Sequence, residues 1–181
     1  MISEFSYKNM ENMNFIKSFY PEITEQNILN SEAGKLCIII NYAIIYYNDS
    51  MKKVYDLISK KDINTLEKCH KVIEEEIKKE TENFIKNSEF YKDKKLYLYF
   101  FNPKHRIKSI ISTNLSLKKP ECSFVLVTQE GKDKNFLNVS ARNQSMSTDM
   151  NQLMKQAIQG LNNANGGGHV AAAGARFMKK D

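Results

Sequence analysis

The chain has 181 residues, a net charge of +6, 41% apolar and 27% charged residues, which suits one folded domain or two small ones. No apolar run approaches the roughly 20 residues needed to span a bilayer. The start, Met1-Ile2-Ser3-Glu4, lacks the basic-then-apolar pattern of a signal peptide, so no membrane association is expected. Cys37, Cys69 and Cys122 are too widely spaced for a disulfide framework or a CxxC metal site, and a cytoplasmic location is expected. Residues 1–90 hold 12 Lys, no Arg and 15 acids (net −3), whereas residues 91–181 hold 12 Lys, 3 Arg and 6 acids (net +9). A basic second half containing Arg106, Arg142 and Arg176 points to an anionic ligand there, with solubility as the plainer reading.

In chain order, residues 5–18 form a weak helix candidate before Pro21. Ser31-Glu32 opens a helix over 32–47 that is apolar nearly all round and therefore needs cover on several sides. Asn48-Asp49-Ser50 makes a turn and cap before a short helix over 51–60. The clearest helix spans 64–88, with Asn64 and Glu67 in capping-box spacing and Leu66, Ile73, Ile77 and Phe84 on one face. Glu74-Glu75-Glu76 reads as its solvated face, and the adjacent Cys69-His70 as structural.

The pattern changes near residue 90, the expected boundary between a helical docking segment (1–90) and an α/β domain (91–181). Leu96 to Phe101 reads as a central strand apolar on both faces. A helix over 106–117 buries Ile107, Ile110, Ile111 and Leu115. Strands follow at 122–128 and 136–142, joined by the loop 130–135. Thr148 or Asp149 starts a helix to about Asn163, with Leu153, Met154, Ala157, Ile158 and Leu161 inward; a glycine loop and a strand over 171–177 close the chain. The expected fold class is α/β: a helical lead-in, then β-α-β-β-α-β with a small mixed sheet.

Two motifs carry chemistry. The run Gly166-Gly167-Gly168-His169, followed by Ala171-Ala172-Ala173-Gly174-Ala175, has almost no side chain except one imidazole. It follows a helix and lacks Gly-Lys-Ser/Thr, so it is neither a P-loop nor a dinucleotide fingerprint. A single glycine would serve as a helix C-cap; three, then a small-residue strand, imply a surface in close approach. Ser140-Ala141-Arg142 ends a strand, where Arg can clamp a phosphate and Ser add a bond, against the alternative of an edge arginine in solvent. Met146, Met150, Met154 and Met178 read as core filler. Tyr97, Tyr99 and Phe101 read as core in preference to a base-stacking surface.

Together, Gly166 to His169, Ala172 to Ala175, Ser140-Ala141-Arg142 and the helix 149–163 closely resemble the C-terminal DHH-associated domain of the DHH phosphoesterases. That group includes RecJ-type single-strand exonucleases, nano-RNases and cyclic-dinucleotide phosphodiesterases. The resemblance covers residues ~94–178. Residues ~15–90, with Glu32-Ala33 and Asn41, more weakly resemble the segment joining the two domains of archaeal RecJ-like enzymes. The resemblance implies that His169 contacts the phosphate near the cut, that Arg142 and Ser140 hold backbone phosphates, and that Gly166, Gly167 and Gly168 admit the strand. The family's Mn²⁺ or Mg²⁺ is held by Asp and His of a separate N-terminal domain. This sequence has no Asp-His-His and no Asp-x-Asp, and its only histidines are His70, His105 and His169, so no metal or other cofactor is expected on this chain.

The expectation is therefore the substrate-binding half of a RecJ-like exonuclease, inactive alone, with single-stranded nucleic acid as ligand. A DHH-domain catalytic chain would complete it by docking on Leu36, Ile40 and Ile44 of the apolar helix. The alternatives are a non-catalytic RecJ-like scaffold among replication or repair proteins and a relative of the alanyl-tRNA synthetase C-terminal domain.

Overall fold

A computed structural model describes residues 14, 17–18, 20–24, 27–48, 50–129 and 135–180. Most of the helix expected over 5–18, and residues 130–134 of the expected loop, lie outside the described residues. The chain divides into two compact units, Met1–Glu74 and Glu75–Asp181.

In the first unit, α1 (Glu32–Tyr47) begins at Ser31, whose Oγ accepts from Gly34 N at 3.1 Å. That bond satisfies one of the amides a helix start leaves over. Helix α2 (Met51–Ser59) follows without a side-chain cap from Ser50. Ala43, Val54, Leu66 and Cys69 form the buried centre, with Ile39, Ile40, Ile44, Tyr47 and Leu57 packed around them. Helix α3 (Ile63–Asn87) crosses the division between the units. Its cap is not the expected Asn64: Asp62 Oδ1 accepts from Thr65 N at 3.1 Å, so the helix begins one residue earlier. His70 stacks on Tyr42 with ring centroids 5.0 Å apart, a structural contact.

The second unit is a mixed six-stranded sheet in the order β1-β2-β3-β4-β6-β5, confirming the α/β class. Its elements are β1 (Glu89–Tyr91), β2 (Leu96–Phe100), α4 (Lys108–Lys118), β3 (Ser123–Gln129), β4 (Phe136–Asn143), α5 (Met150–Ala157), β5 (Asn165–Gly168) and β6 (Ala172–Met178). Among the described residues, only β2 and β3 pair in parallel; every other neighbouring pair is antiparallel. Two strands, β1 and β5, are additional to the expected four.

Strand β2 is not central. It lies second from the edge, and although Tyr99 is buried, Phe100 is 59% exposed. Phe84 from the second half of α3 packs against Tyr97, Tyr99 and Phe124, so these aromatics form core. The opposite face carries Val127, Val139, Ala141 and Ala175 under Met150 and Met154 of α5.

Several details differ from the pattern reading. Helix α5 starts at Asp149, whose Oδ1 accepts from Gln152 N at 3.0 Å, but ends at Ala157 because the chain turns at Gly160 (φ +84). Ala157 is accordingly exposed, and Met146 is a 60% exposed loop residue instead of core. Glu76 is not solvated like Glu74 and Glu75: it accepts from His105 N at 3.1 Å and contacts His105 Nδ1. That pair ties α3 to the loop before α4.

Candidate functional site

Strand alternation sorts β4 and β6 into two faces. Val139, Ala141 and Ala175 turn toward α5. Ser140 and Arg142 take the other face, where Ser140 is opposite Gly174 and Arg142 opposite Ala172. Gly174 in turn is opposite Gly167 on β5. The result is an open cavity of about 350 Å³. Ser140 and Arg142 form one wall, Lys108 and Ser109 of α4 a second, and Gly167, Gly168, Ala172 and Gly174 a floor without long side chains.

The cavity favours an anion. Among the described residues, Lys108 and Arg142 line it and no acid does. Helix α4 begins at Lys108 with no side-chain cap from Ile107, and its first N–H to carbonyl bond is Ile111 N to Ile107 O at 3.0 Å. Its first turn therefore directs backbone N–H groups and the positive end of the helix dipole toward the Lys108–Ser109 wall. The Ser140 hydroxyl is tied to Ser112 of α4, Oγ to Oγ 3.0 Å, and Ser112 also donates to Ser109 O at 3.0 Å. With the Ser112 proton on that carbonyl, Ser140 is the donor within the pair, and its lone pairs remain to face the cavity.

The glycine run is a strand, not the expected loop, and its close approach is made to the protein itself. A Cβ on Gly168 (φ +156) would lie 2.5 Å from Ala172 O and 2.6 Å from Ala173 Cα. One on Gly166 would lie 3.0 Å from Ile158 Cδ1 and 3.1 Å from Ala175 Cβ. Gly166 thus packs on the α5 side, away from the cavity, while Gly167 and Gly168 line it.

His169 is exposed in the turn joining β5 to β6 and does not line the cavity, although its neighbour Gly168 does. The turn is held by reciprocal bonds, His169 N to Ala172 O at 2.8 Å and Ala172 N to His169 O at 3.1 Å. Met150 N donates to Val170 O at 2.9 Å and Asn143 N to Ala171 O at 3.0 Å. Asn151 Oδ1 accepts from Gly168 N at 3.1 Å.

Four of the six expected residues, Ser140, Arg142, Gly167 and Gly168, therefore meet around one cavity, and Gly166 and His169 stand outside its lining. Lys108 and Ser109 were missed. Their signal was position: they open the helix after β2, at the carboxyl end of a strand, where helix N-termini face ligands in such folds. Of the residues expected to dock a partner, Leu36 is 39% exposed, while Ile40 and Ile44 are partly buried against their own unit's core.

Among the described residues, no three His, Cys, Asp or Glu side chains come together in a group that could hold a metal ion. Glu76 and His105 bind each other, and among the described residues no third donor of that kind joins them. The described residues thus do not bring together the donor set of a two-metal phosphoesterase centre. A second cavity, about 300 Å³ in the first unit, is lined by Glu22 and Glu32 and, among the described residues, by no Lys or Arg. No described helix is long and apolar enough to cross a membrane.

An exopolyphosphatase-related protein from Bacteroides fragilis is similar at 20% identity and a TM-score of 0.41, over 70% of this chain and 38% of that one. An uncharacterized protein from Helicobacter pylori G27 is similar at 16% identity and a TM-score of 0.33, over 95% of this chain and 42% of that one. The chain thus spans less than half the length of either. No curated protein matches it. The DHHA1 domain family matches residues 92–181, a region that begins just before β2 and contains both cavity walls and the glycine floor, so the sheet-bearing half of this chain carries a DHH-family associated domain.

Proposed function

We propose that this chain supplies the substrate-holding part of a RecJ-like DHH phosphoesterase, gripping the phosphates of single-stranded nucleic acid or a short oligonucleotide. The observation that carries this reading is the cavity in which Lys108, Ser140 and Arg142 surround a glycine floor inside the DHHA1 match. Arg142 takes a phosphate through its planar fork, and Lys108 with the α4 amides adds positive charge. His169, exposed one residue past Gly168, meets a phosphate that overhangs the cavity. A DHH catalytic domain outside these 181 residues supplies the Mn²⁺ or Mg²⁺ and the hydrolytic chemistry. Exposed Leu36 of α1 is its contact on the first unit.

The test is a titration of the full chain with short single strands at several salt concentrations. Binding should weaken steeply with salt, and Arg142→Ala should lower affinity about tenfold or more. Strands that do not bind, or that bind without regard to Arg142, would defeat this reading and favour a scaffold role.

A further inference from the structure

The site continues along β6 beyond the cavity. Ala175 is buried toward α5, with Ala173 and Phe177 packed on the same side. Alternation therefore puts Arg176 on the cavity face with Ala172 and Gly174. Arg176 lies opposite Asn138 on β4 and Asn165 on β5, whereas Arg142 lies opposite Ala172. The two arginine rows are four residues apart along the ladder, about 13 Å. Between them runs the row Ser140, Gly174 and Gly167, whose longest side chain is a hydroxymethyl. Arg176 does not line the cavity; it is the next residue on that face past Gly174.

Its side chain is also held. The guanidinium carbon of Arg176 sits 3.6 Å from the centroid of the Phe136 ring. This contact places the cation over the ring face, and a guanidinium binds a phosphate through its N–H edge.

We infer that Arg176 is a second phosphate contact, so that this face takes a strand bearing at least two linked phosphates in preference to a mononucleotide. The inference rests on the nucleic-acid reading above and deepens it. One phosphate seated between Arg142 and Lys108 does not reach Arg176 across that distance. A strand crossing the glycine row does, because Gly174 and Gly167 carry no side chain. Asn138 and Asn165, flanking Arg176 across the ladder, offer amide donors and acceptors to the sugar or base at that step.

The experiment titrates the full chain with 5′-AMP, carrying one phosphate, and with a 5′-phosphorylated hexa-adenylate. The proteins are wild type, Arg176→Ala, Arg176→Lys and Arg142→Ala. Arg176→Ala should leave AMP affinity within about twofold, weaken the hexamer about tenfold and lower its salt slope by about one. Arg176→Lys, which keeps the charge and loses the fork, should fall between wild type and Arg176→Ala on the hexamer alone. Arg142→Ala should weaken both ligands. If Arg176→Ala does not fold, Arg176→Lys decides, with a threefold or greater loss on the hexamer and none on AMP as the supporting result. Equal losses on both ligands, or an unchanged hexamer while Arg142→Ala weakens both, would overturn the role of Arg176 and leave the nucleic-acid reading standing. A wild-type chain that binds neither ligand would overturn both.

Discussion

Ser140 Oγ on β4 lies 3.0 Å from Ser112 Oγ on α4, so a residue facing the cavity is tethered to a fully buried hydroxyl. The tether fixes the Ser140 rotamer and engages its proton. Binding of a phosphate by donation from Ser140 requires the pair to reverse its direction. Ser112→Ala should therefore destabilise the fold by about 1 kcal/mol while raising phosphate affinity two- to threefold. Denaturant unfolding and ligand titration on the same sample check both halves. Lower affinity at unchanged stability would contradict the direction assigned to this hydrogen bond.

The glycines separate conformation from space. At Gly160, with φ +84, no atom lies within 4 Å of an added Cβ, so Gly160→Ala should lose only about 1 kcal/mol through backbone conformation. At Gly168 the same atom would meet the backbone of the neighbouring strand at 2.5 Å. Gly168→Ala should lose about 3 kcal/mol or more and disrupt the β5–β6 hairpin. Thermal unfolding of the two variants orders them, and equal midpoints would refute the steric account of this strand.

The tie between Glu76 and His105 makes stability depend on pH. Burial would raise the Glu76 carboxyl, but hydrogen bonds from the His105 ring and backbone N–H outweigh it and hold the group below its ordinary value of 4.5. A carboxyl lowered in the folded state contributes stability that is complete above 4.5 and is lost as pH falls below it. Glu76→Gln should be less stable than wild type by about 2 kcal/mol at pH 7, with the gap closing as pH drops through the acid range. Urea unfolding at a series of pH values measures it, and a gap independent of pH would count against the charged contact.

Asn151 holds the Gly168 amide 3.1 Å from its Oδ1 and so fixes the strand end that precedes His169. Asn151→Ala should weaken oligonucleotide binding about threefold to tenfold while changing the unfolding free energy by about 1 kcal/mol. Asn151→Ser, which keeps an acceptor, should recover part of the affinity. Full affinity in Asn151→Ala would show that the turn keeps its geometry through the Met150 and Asn143 bonds alone.

Local signals in the sequence determined much of this molecule. Ser31 before an apolar run set the start of α1, Asp149 set the start of α5, and Leu66, Ile73, Ile77 and Phe84 at helical spacing are all buried. The alternation in Ser140-Ala141-Arg142 already placed serine and arginine on one face, because a strand repeats every two residues. These features depend on neighbours a few residues away. The meeting of Lys108 and Arg142 around one cavity and the contact of Arg176 with the Phe136 ring join residues distant in the chain. The packing of α4 on β4 and the register of β4 with β6 decided them. The same glycine run reads equally as a flexible loop or a tightly packed edge strand until a partner strand limits the space for a Cβ, and that limit is a property of tertiary packing.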